Sequence, residues 1–242
     1  MAGVPDGRRH GAGDYVCGGA DMKLSYFSIK NFRNITSLVL DLKDGNGTPL
    51  DAIYIAGDMG IGKTSVLDAI HRALSGGASF GKESIHGRCV VRGRTRTLKT
   101  ADYKFAYLSQ YSSVVCGAEW IQDVKHEHFV AIEAMAHTLG WKTWESDCRR
   151  GRLTSGQNAI MKMAVPIACA HEPLDVVLID EPELHLHYSI QTHLMAALRR
   201  LSPTTQFIVA TNSEAILRMA LSYERFLILN DREVYEPSAR QI

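Results

Sequence analysis

The chain predicts an α/β fold: a mainly parallel sheet flanked by helices, with an antiparallel β subdomain and a short helical lobe. Three observations carry that expectation. Residues 50–56 form an apolar run that ends at Gly57, enters Gly57-Asp58-Met59-Gly60-Ile61-Gly62-Lys63-Thr64 and continues as a helical pattern. Residues 174–180 form a second apolar run, ending in Asp180 and Glu181. A helix-periodic stretch at 189–201 and an apolar run at 206–210 then repeat the strand–helix–strand order of a parallel sheet.

The other elements follow in order. Residues 1–21 are Gly-rich, carry Arg8 and Arg9 and lack the apolar core of a secretory signal. They predict a disordered lead-in to a domain spanning 22–242, or an upstream start with Met22 as the true first residue. Residues 23–42 alternate well enough for two strands, with Leu24, Tyr26 and Ile29 in the first and Leu38, Leu40 and Leu42 in the second. Lys30-Asn31-Phe32-Arg33-Asn34 is turn-prone, and Asp44-Gly45-Asn46-Gly47 is a strong turn signal. A helix over 62–74 presents Val66, Leu67, Ile70 and Leu74 on one face, and Gly76-Gly77 stops it. Residues 79–111 are β-like and basic, and Arg92, Arg94 and Arg96 at alternate positions would share one strand face. A helical stretch at 119–140 has Trp120, Val124, Ile132 and Met135 as its buried side, a further helix runs from 156 toward Pro166, and residues 226–229 form a late strand. Residues 112–155 are expected to be the inserted helical lobe.

Composition sets the bounds. A chain of 242 residues buries a substantial core as one large domain, or as one domain with an inserted lobe. No apolar run reaches the roughly 20 residues of a membrane span, so no membrane partner is expected. The net charge of +1 gives no global argument for nucleic acid. Five cysteines (Cys17, Cys89, Cys116, Cys148 and Cys169) are an odd number without a Cys-x-x-Cys pair. That predicts a reducing cytoplasm, with neither a disulfide framework nor a zinc site. His185, His187 and His193 have no nearby cysteine to complete a ligand set.

The chemistry lies in three short runs. The first matches Gly-x-x-x-x-Gly-Lys-Thr between an apolar strand and a helix, where a phosphate cradle requires it. Gly57, Gly60 and Gly62 let the backbone turn its N–H groups inward around Asp58, Met59 and Ile61, and the helix N-terminus through Ser65 adds positive potential. Lys63 would bridge the β- and γ-phosphates of ATP, and the Thr64 hydroxyl would ligate Mg²⁺. The acidic run places Asp180 to hold Mg²⁺ and Glu181 to polarise an attacking water as general base. The middle run, Leu153-Thr154-Ser155-Gly156-Gln157, reads either as a helix start with a Thr or Ser cap or as a second phosphate-binding helix N-terminus.

In this order the three runs resemble the ATPase head of the RecF, structural-maintenance-of-chromosomes and overcoming-lysogenisation-defect (OLD) group of ABC-type P-loop ATPases. Leu153–Gln157 resembles the ABC signature, Ile29-Lys30-Asn31-Phe32-Arg33 the opening strand and turn, and Asp180-Glu181-Pro182-Glu183-Leu184-His185-Leu186-His187 the stretch after the acids. The likeness covers roughly residues 23–230. It implies a homodimer with ATP sandwiched between Lys63 and Thr64 of one subunit and Ser155, Gly156 and Gln157 of the other. Gln110 would be the Q-loop residue that senses Mg²⁺ and water, Arg33 would lie near the nucleotide, and Asn212 would occupy the switch position.

Two departures limit that likeness. The family usually has His where this chain has Asn212, and asparagine carries no proton at neutral pH. Only about forty residues separate Gln110 from the signature, too few for a long coiled coil. The resemblance implies an ATP-gated component of an anti-phage defence or DNA repair system, with a separate protein supplying effector or nuclease activity. A basic surface formed by Arg88, Arg92, Arg94, Arg96, Lys99, Lys104, Arg149, Arg150 and Arg152 would offer itself to DNA, or simply be a solvated face. Two alternatives stand beside this expectation: a nucleotide-gated scaffold with little turnover, and an AAA+-type ring ATPase with Asn212 as its sensor.

Overall fold

The structure, a computed structural model, describes residues 22–77, 81–98, 103–109, 125–229 and 234–235. The lead-in at 1–21, and Lys99, Gln110, Trp120 and Val124, lie outside the described residues.

The described residues form two sheets. Strands β1 (Met22–Phe32), β2 (Ile35–Asp41), β4 (Ser84–Val91) and β5 (Arg94–Thr97) form an antiparallel sheet in the order β2-β1-β4-β5. The second sheet has the order β10-β9-β3-β8-β7-β6, from β3 (Ala52–Gly57), β6 (Phe105–Leu108), β7 (Val176–Asp180), β8 (Gln206–Ala210), β9 (Arg225–Ile228) and β10 (Val234–Tyr235). It is parallel except at β10. Strands β7 and β8 are apolar along nearly their whole length, and this fits the geometry, because both faces of the sheet are covered.

On one face, Ile53, Ile55, Val176, Leu178 and Ile208 pack with α1 (Lys63–Leu74) and with the inner side of the antiparallel sheet, including Leu24, Phe27, Ile29 and Leu40. On the other, Tyr54, Val177, Ile179, Phe207 and Val209 meet α2 (His126–Thr138), α4 (Ser155–Ala168) and α5 (Tyr188–Leu201) through Ile132, Met135, Ile160, Met161, Leu194 and Leu198. The short helix α3 (Trp144–Arg149) packs Trp144 at a tilt against Phe129 of α2, ring centroids 4.8 Å apart. Helix α6 (Glu214–Met219) follows β8. Among the described residues no helix is long and apolar enough to cross a membrane.

A fully buried glutamine joins the two sheets. Gln206 at the start of β8 accepts from the Leu24 N–H at 2.8 Å and donates to the Leu24 and Leu50 carbonyls at 2.9 and 2.7 Å. Asp175, just before β7, accepts from the Met22 N–H at 3.3 Å and the Lys104 N–H at 2.9 Å.

Several expectations are corrected. The turn-prone segment at 30–34 is mostly strand: β1 runs through Phe32 and pairs with Ile35, leaving only Arg33 and Asn34 to turn. The basic run at 79–111 divides, because β6 joins the parallel sheet beside β7. Arg92 is not in a row with Arg94 and Arg96: with Gly93 it forms the β4–β5 turn, both at positive φ (48° and 72°). Arg88 pairs with Thr97 and Cys89 with Arg96, so Arg88 faces away from Arg94 and Arg96. The described helix α2 starts at His126, after Lys125 in extended backbone (ψ 146°); residues 119–124 of the expected helix lie outside the described residues. Helix α4 passes through Pro166 to Ala168; a proline this close to the helix end removes a single ladder bond.

Replacing Gln206 with leucine keeps the volume but strands one buried N–H and two buried carbonyls. Gln206→Leu should lose about 3 kcal/mol or more in urea unfolding; a loss below about 1 kcal/mol would show that the glutamine does not join the sheets.

Candidate functional site

The strand order β3-β8-β7 sets the C-terminal ends of the three strands side by side. Ile55 and Asp180 each pair with Ala210 across neighbouring strands. The cradle after β3, the Thr211–Ser213 segment after β8 and the acids after β7 therefore line one edge, where open parallel sheets bind ligands.

In the cradle, Gly62 caps α1 in the left-handed region (φ 116°), a conformation that costs a side-chain-bearing residue energy. Lys63 is only 6% exposed, and its Nζ donates to the Gly57 and Asp58 carbonyls at 2.8 and 2.9 Å. Burial lowers its pKa, opposed by the negative charges of Glu181, Glu183, Asp180 and Asp58. The lysine thus stands at the focus of the acids.

The Thr64 hydroxyl donates to Asp180 Oδ2 at 2.9 Å, joining α1 to β7. The other carboxylate oxygen, Oδ1, is buried without a partner. Burial raises the Asp180 pKa, as do Glu181, Asp68 and Glu183, against the lowering effect of the Thr64 bond. An unpartnered carboxylate oxygen beside a hydroxyl fits an oxygen-preferring divalent cation such as Mg²⁺. Glu181 sits at φ 50°, with its N–H bonded to the Ala210 carbonyl at 2.9 Å.

Arg33 pairs with Asp68, one turn beyond Thr64 on α1, and lies over the Phe32 ring. The Tyr107 hydroxyl donates to the same carboxylate at 2.9 Å, and burial with that bond raises the tyrosine pKa. The structure thus places Arg33 on the flank of α1.

Two residues at the site escaped the sequence. Asn34 donates to the Gly60 carbonyl at 3.4 Å and lies against Gly62, with its Oδ1 buried and unpartnered. Its signal was adjacency to Arg33 in the turn. Glu183 accepts from the Thr211 hydroxyl and the Asn212 N–H, both at 2.7 Å. The side chain of Asn212 is exposed.

The signature run opens α4 with a capping box. Thr154 Oγ1 accepts from the Gln157 N–H at 3.2 Å, and the Gln157 side chain accepts from the Thr154 N–H at 2.8 Å. Asp147 of α3 gathers Trp141 Nε1, the Thr143 hydroxyl and, at 3.4 Å, Gln157 Nε2; these bonds lower its pKa. Ser155 is exposed. Gly156 lies so near the 181–187 loop that a Cβ there would come 2.9 Å from the His185 carbonyl. A cavity of about 280 Å³ separates α4 from the acids, lined by Ser155, Lys162, Ser109, Glu181 and His185 among others, but by none of residues 57–65. Within one chain the signature is therefore gathered with Glu181 and His185, apart from the cradle. His187 serves as the cap of α5, its Nδ1 accepting from the Ser189 N–H at 3.3 Å.

Comparison with known proteins bears on the fold. Residues 153–218 match the family model "AAA domain, putative AbiEii toxin, Type IV TA system". The ABC transporter G family member 19 of Arabidopsis thaliana is 20% identical over 210 residues, covering 82% of this chain and 29% of that protein. The chain thus spans less than a third of that relative. Among solved structures, the SMC head domain from Thermotoga maritima superposes with a TM-score of 0.56 at 14% identity, covering 88% of this chain and 98% of that one. A nucleotide-free ATP-binding cassette from an ABC transporter gives 0.57 at 12% identity, covering 88% and 90%. The SmcHead bound to the C-winged helix domain of ScpA gives 0.53 at 14%, covering 88% and 97%. The chain has the fold of an ABC-type P-loop ATPase head.

Alanine at position 156 would gain about 1 kcal/mol of helix propensity. Its Cβ would also force a backbone carbonyl to shift, an overpacking cost of about 1–3 kcal/mol. Gly156→Ala should therefore lower the thermal unfolding midpoint, and a more stable variant would contradict the close approach of α4 to His185.

Proposed function

We propose that this chain binds and hydrolyses ATP as an ABC-type ATPase, closing as a homodimer around the nucleotide. The observation that carries the proposal is the Thr64–Asp180 bond, beside the buried Lys63, between the ends of β3 and β7 on either side of β8, with Asp180 Oδ1 buried and unpartnered. Residues 57–65 would cradle the phosphates of ATP, Lys63 exchanging its loop carbonyls for phosphate oxygens. Thr64 and Asp180, with Gln110, would hold Mg²⁺, which neutralises phosphate charge when bound. Glu181 would accept the proton of the attacking water. Ser155, Gly156 and Gln157, apart from the cradle in their own chain, would meet the γ-phosphate held by the partner subunit. Arg33 and Ser65 would flank the site.

The setting proposed is a cytoplasmic multi-protein system of anti-phage defence or DNA repair, within the RecF, SMC and OLD group, where a separate protein supplies effector or nuclease activity. The likeness to an SMC head and to a family described as a toxin of a toxin–antitoxin system supports it. Arg94 and Arg96 are the arginines of the basic hairpin that share a face for DNA. The antiparallel sheet, built from strands on both sides of β3 and α1 in the chain, and the helices between β6 and β7 favour this proposal over an AAA+-type ring. A second reading, a nucleotide-gated scaffold with little turnover, is favoured by Asn212, which can hydrogen-bond a phosphate but cannot shuttle a proton. Steady-state phosphate release separates the two.

Glu181→Gln should retain ATP and shift the chain to a dimer in light scattering; a variant that stays monomeric at saturating ATP contradicts the sandwich. Reversing Arg94 and Arg96 to glutamate should weaken duplex binding and lower its salt slope by about 2, and unchanged duplex affinity would remove DNA from the proposal.

A further inference from the structure

We infer that Glu183 is a positioning residue: it fixes the main chain around Asn212 and so aims that side chain at the γ-phosphate. The inference rests on the ATPase proposal above. Both acceptor oxygens of the carboxylate are used on the two residues that leave β8, Oε2 by the Thr211 hydroxyl and Oε1 by the Asn212 N–H, each at 2.7 Å. Bonds to an ionised acceptor are short and directional. Thr211 is fully buried and its N–H is bonded to the Ile55 carbonyl of β3 at 3.0 Å, so the segment is also held on the cradle side. With its N–H engaged, Asn212 has its exposed side chain as the free polar group at this strand end.

A second bridge keeps the loop and the strand end in step. Gln191 of α5 donates to the Leu186 carbonyl at 2.8 Å and the Glu183 carbonyl at 3.4 Å, and accepts from the Ser213 hydroxyl at 2.6 Å. The Glu181 N–H bonds to Ala210 just ahead of Thr211. Residues 181–186 and 210–213 are therefore stitched at both ends, and Glu183 is the stitch that touches Asn212 itself. A merely structural staple would hold the fold without affecting which nucleotide is preferred. The functional role follows from what the carboxylate bonds: the main chain flanking a polar side chain at the phosphate-binding edge.

The test uses the full chain with Mg²⁺ and compares binding of ADP with that of the non-hydrolysable ATP analogue adenylyl imidodiphosphate by calorimetry, so turnover is not needed. The wild type should prefer the analogue. Glu183→Ala should lose about tenfold of that preference while ADP affinity stays within about twofold, as expected when a hydrogen bond to a charged phosphate is misaimed. Glu183→Gln should keep the preference, because its amide oxygen still accepts from the Asn212 N–H and its NH₂ can donate to Thr211. If Glu183→Ala does not fold, Thr211→Val, which removes one of the two bonds to Glu183 and the bond from the Ser213 N–H at 2.9 Å, should show a partial loss. An unchanged preference in Glu183→Ala, or in Thr211→Val where the alanine variant does not fold, overturns the inference and leaves the ATPase proposal standing, as does a wild type without preference. A wild type that binds neither nucleotide overturns both.

Discussion

The position of β8 between β3 and β7 is the constraint on which the site depends. These strands must be covered on both faces, by α1 with the antiparallel sheet on one side and by α2, α4 and α5 on the other. That burial fixes their register to the residue, and the register places Gly57, Ala210 and Asp180 on one edge. Gln206 at the opposite end of β8 locks the same strand to the antiparallel sheet. The 57–65 loop, the 211–213 segment and the acids are thus aligned by the packed strands beneath them.

The local conflicts are concentrated where the chemistry is expected. Lys63 is nearly buried and leans on the carbonyls of its own loop. Asp180 is pushed toward protonation by burial and by Glu181 and Asp68, with one oxygen unpaired. Glu181 holds a left-handed backbone. Each departs from what stability alone would select, and sites built to receive charge from a ligand are where such departures gather. Asn212, by contrast, is exposed, with its backbone N–H bonded to Glu183.

How much of this was legible in the sequence depends on range. The strand, Gly-rich loop and helix at 52–74 were readable because the glycines of the loop are dictated by the local backbone between one strand and one helix. The apolar runs at β7 and β8 were readable for the same reason. What stayed hidden needs contacts between distant residues: Glu183 with Asn212, Gly156 with His185, Arg33 with Asp68. The arginine row misled because alternation was weighed above Gly93, whose turn takes Arg92 out of the strand. The helix read as running from 156 toward Pro166 extends two residues past it, to Ala168.

The central claim is that the signature of one subunit completes the cradle of another. It is tested most directly by mixing two inactive variants, Lys63→Ala and Ser155→Arg, and measuring phosphate release. In a symmetric sandwich each mixed dimer has one site with an intact cradle and an intact signature, so an equal mixture should recover roughly a quarter of wild-type turnover. A mixture as inactive as its parents, under conditions where the wild type turns over, would contradict the account.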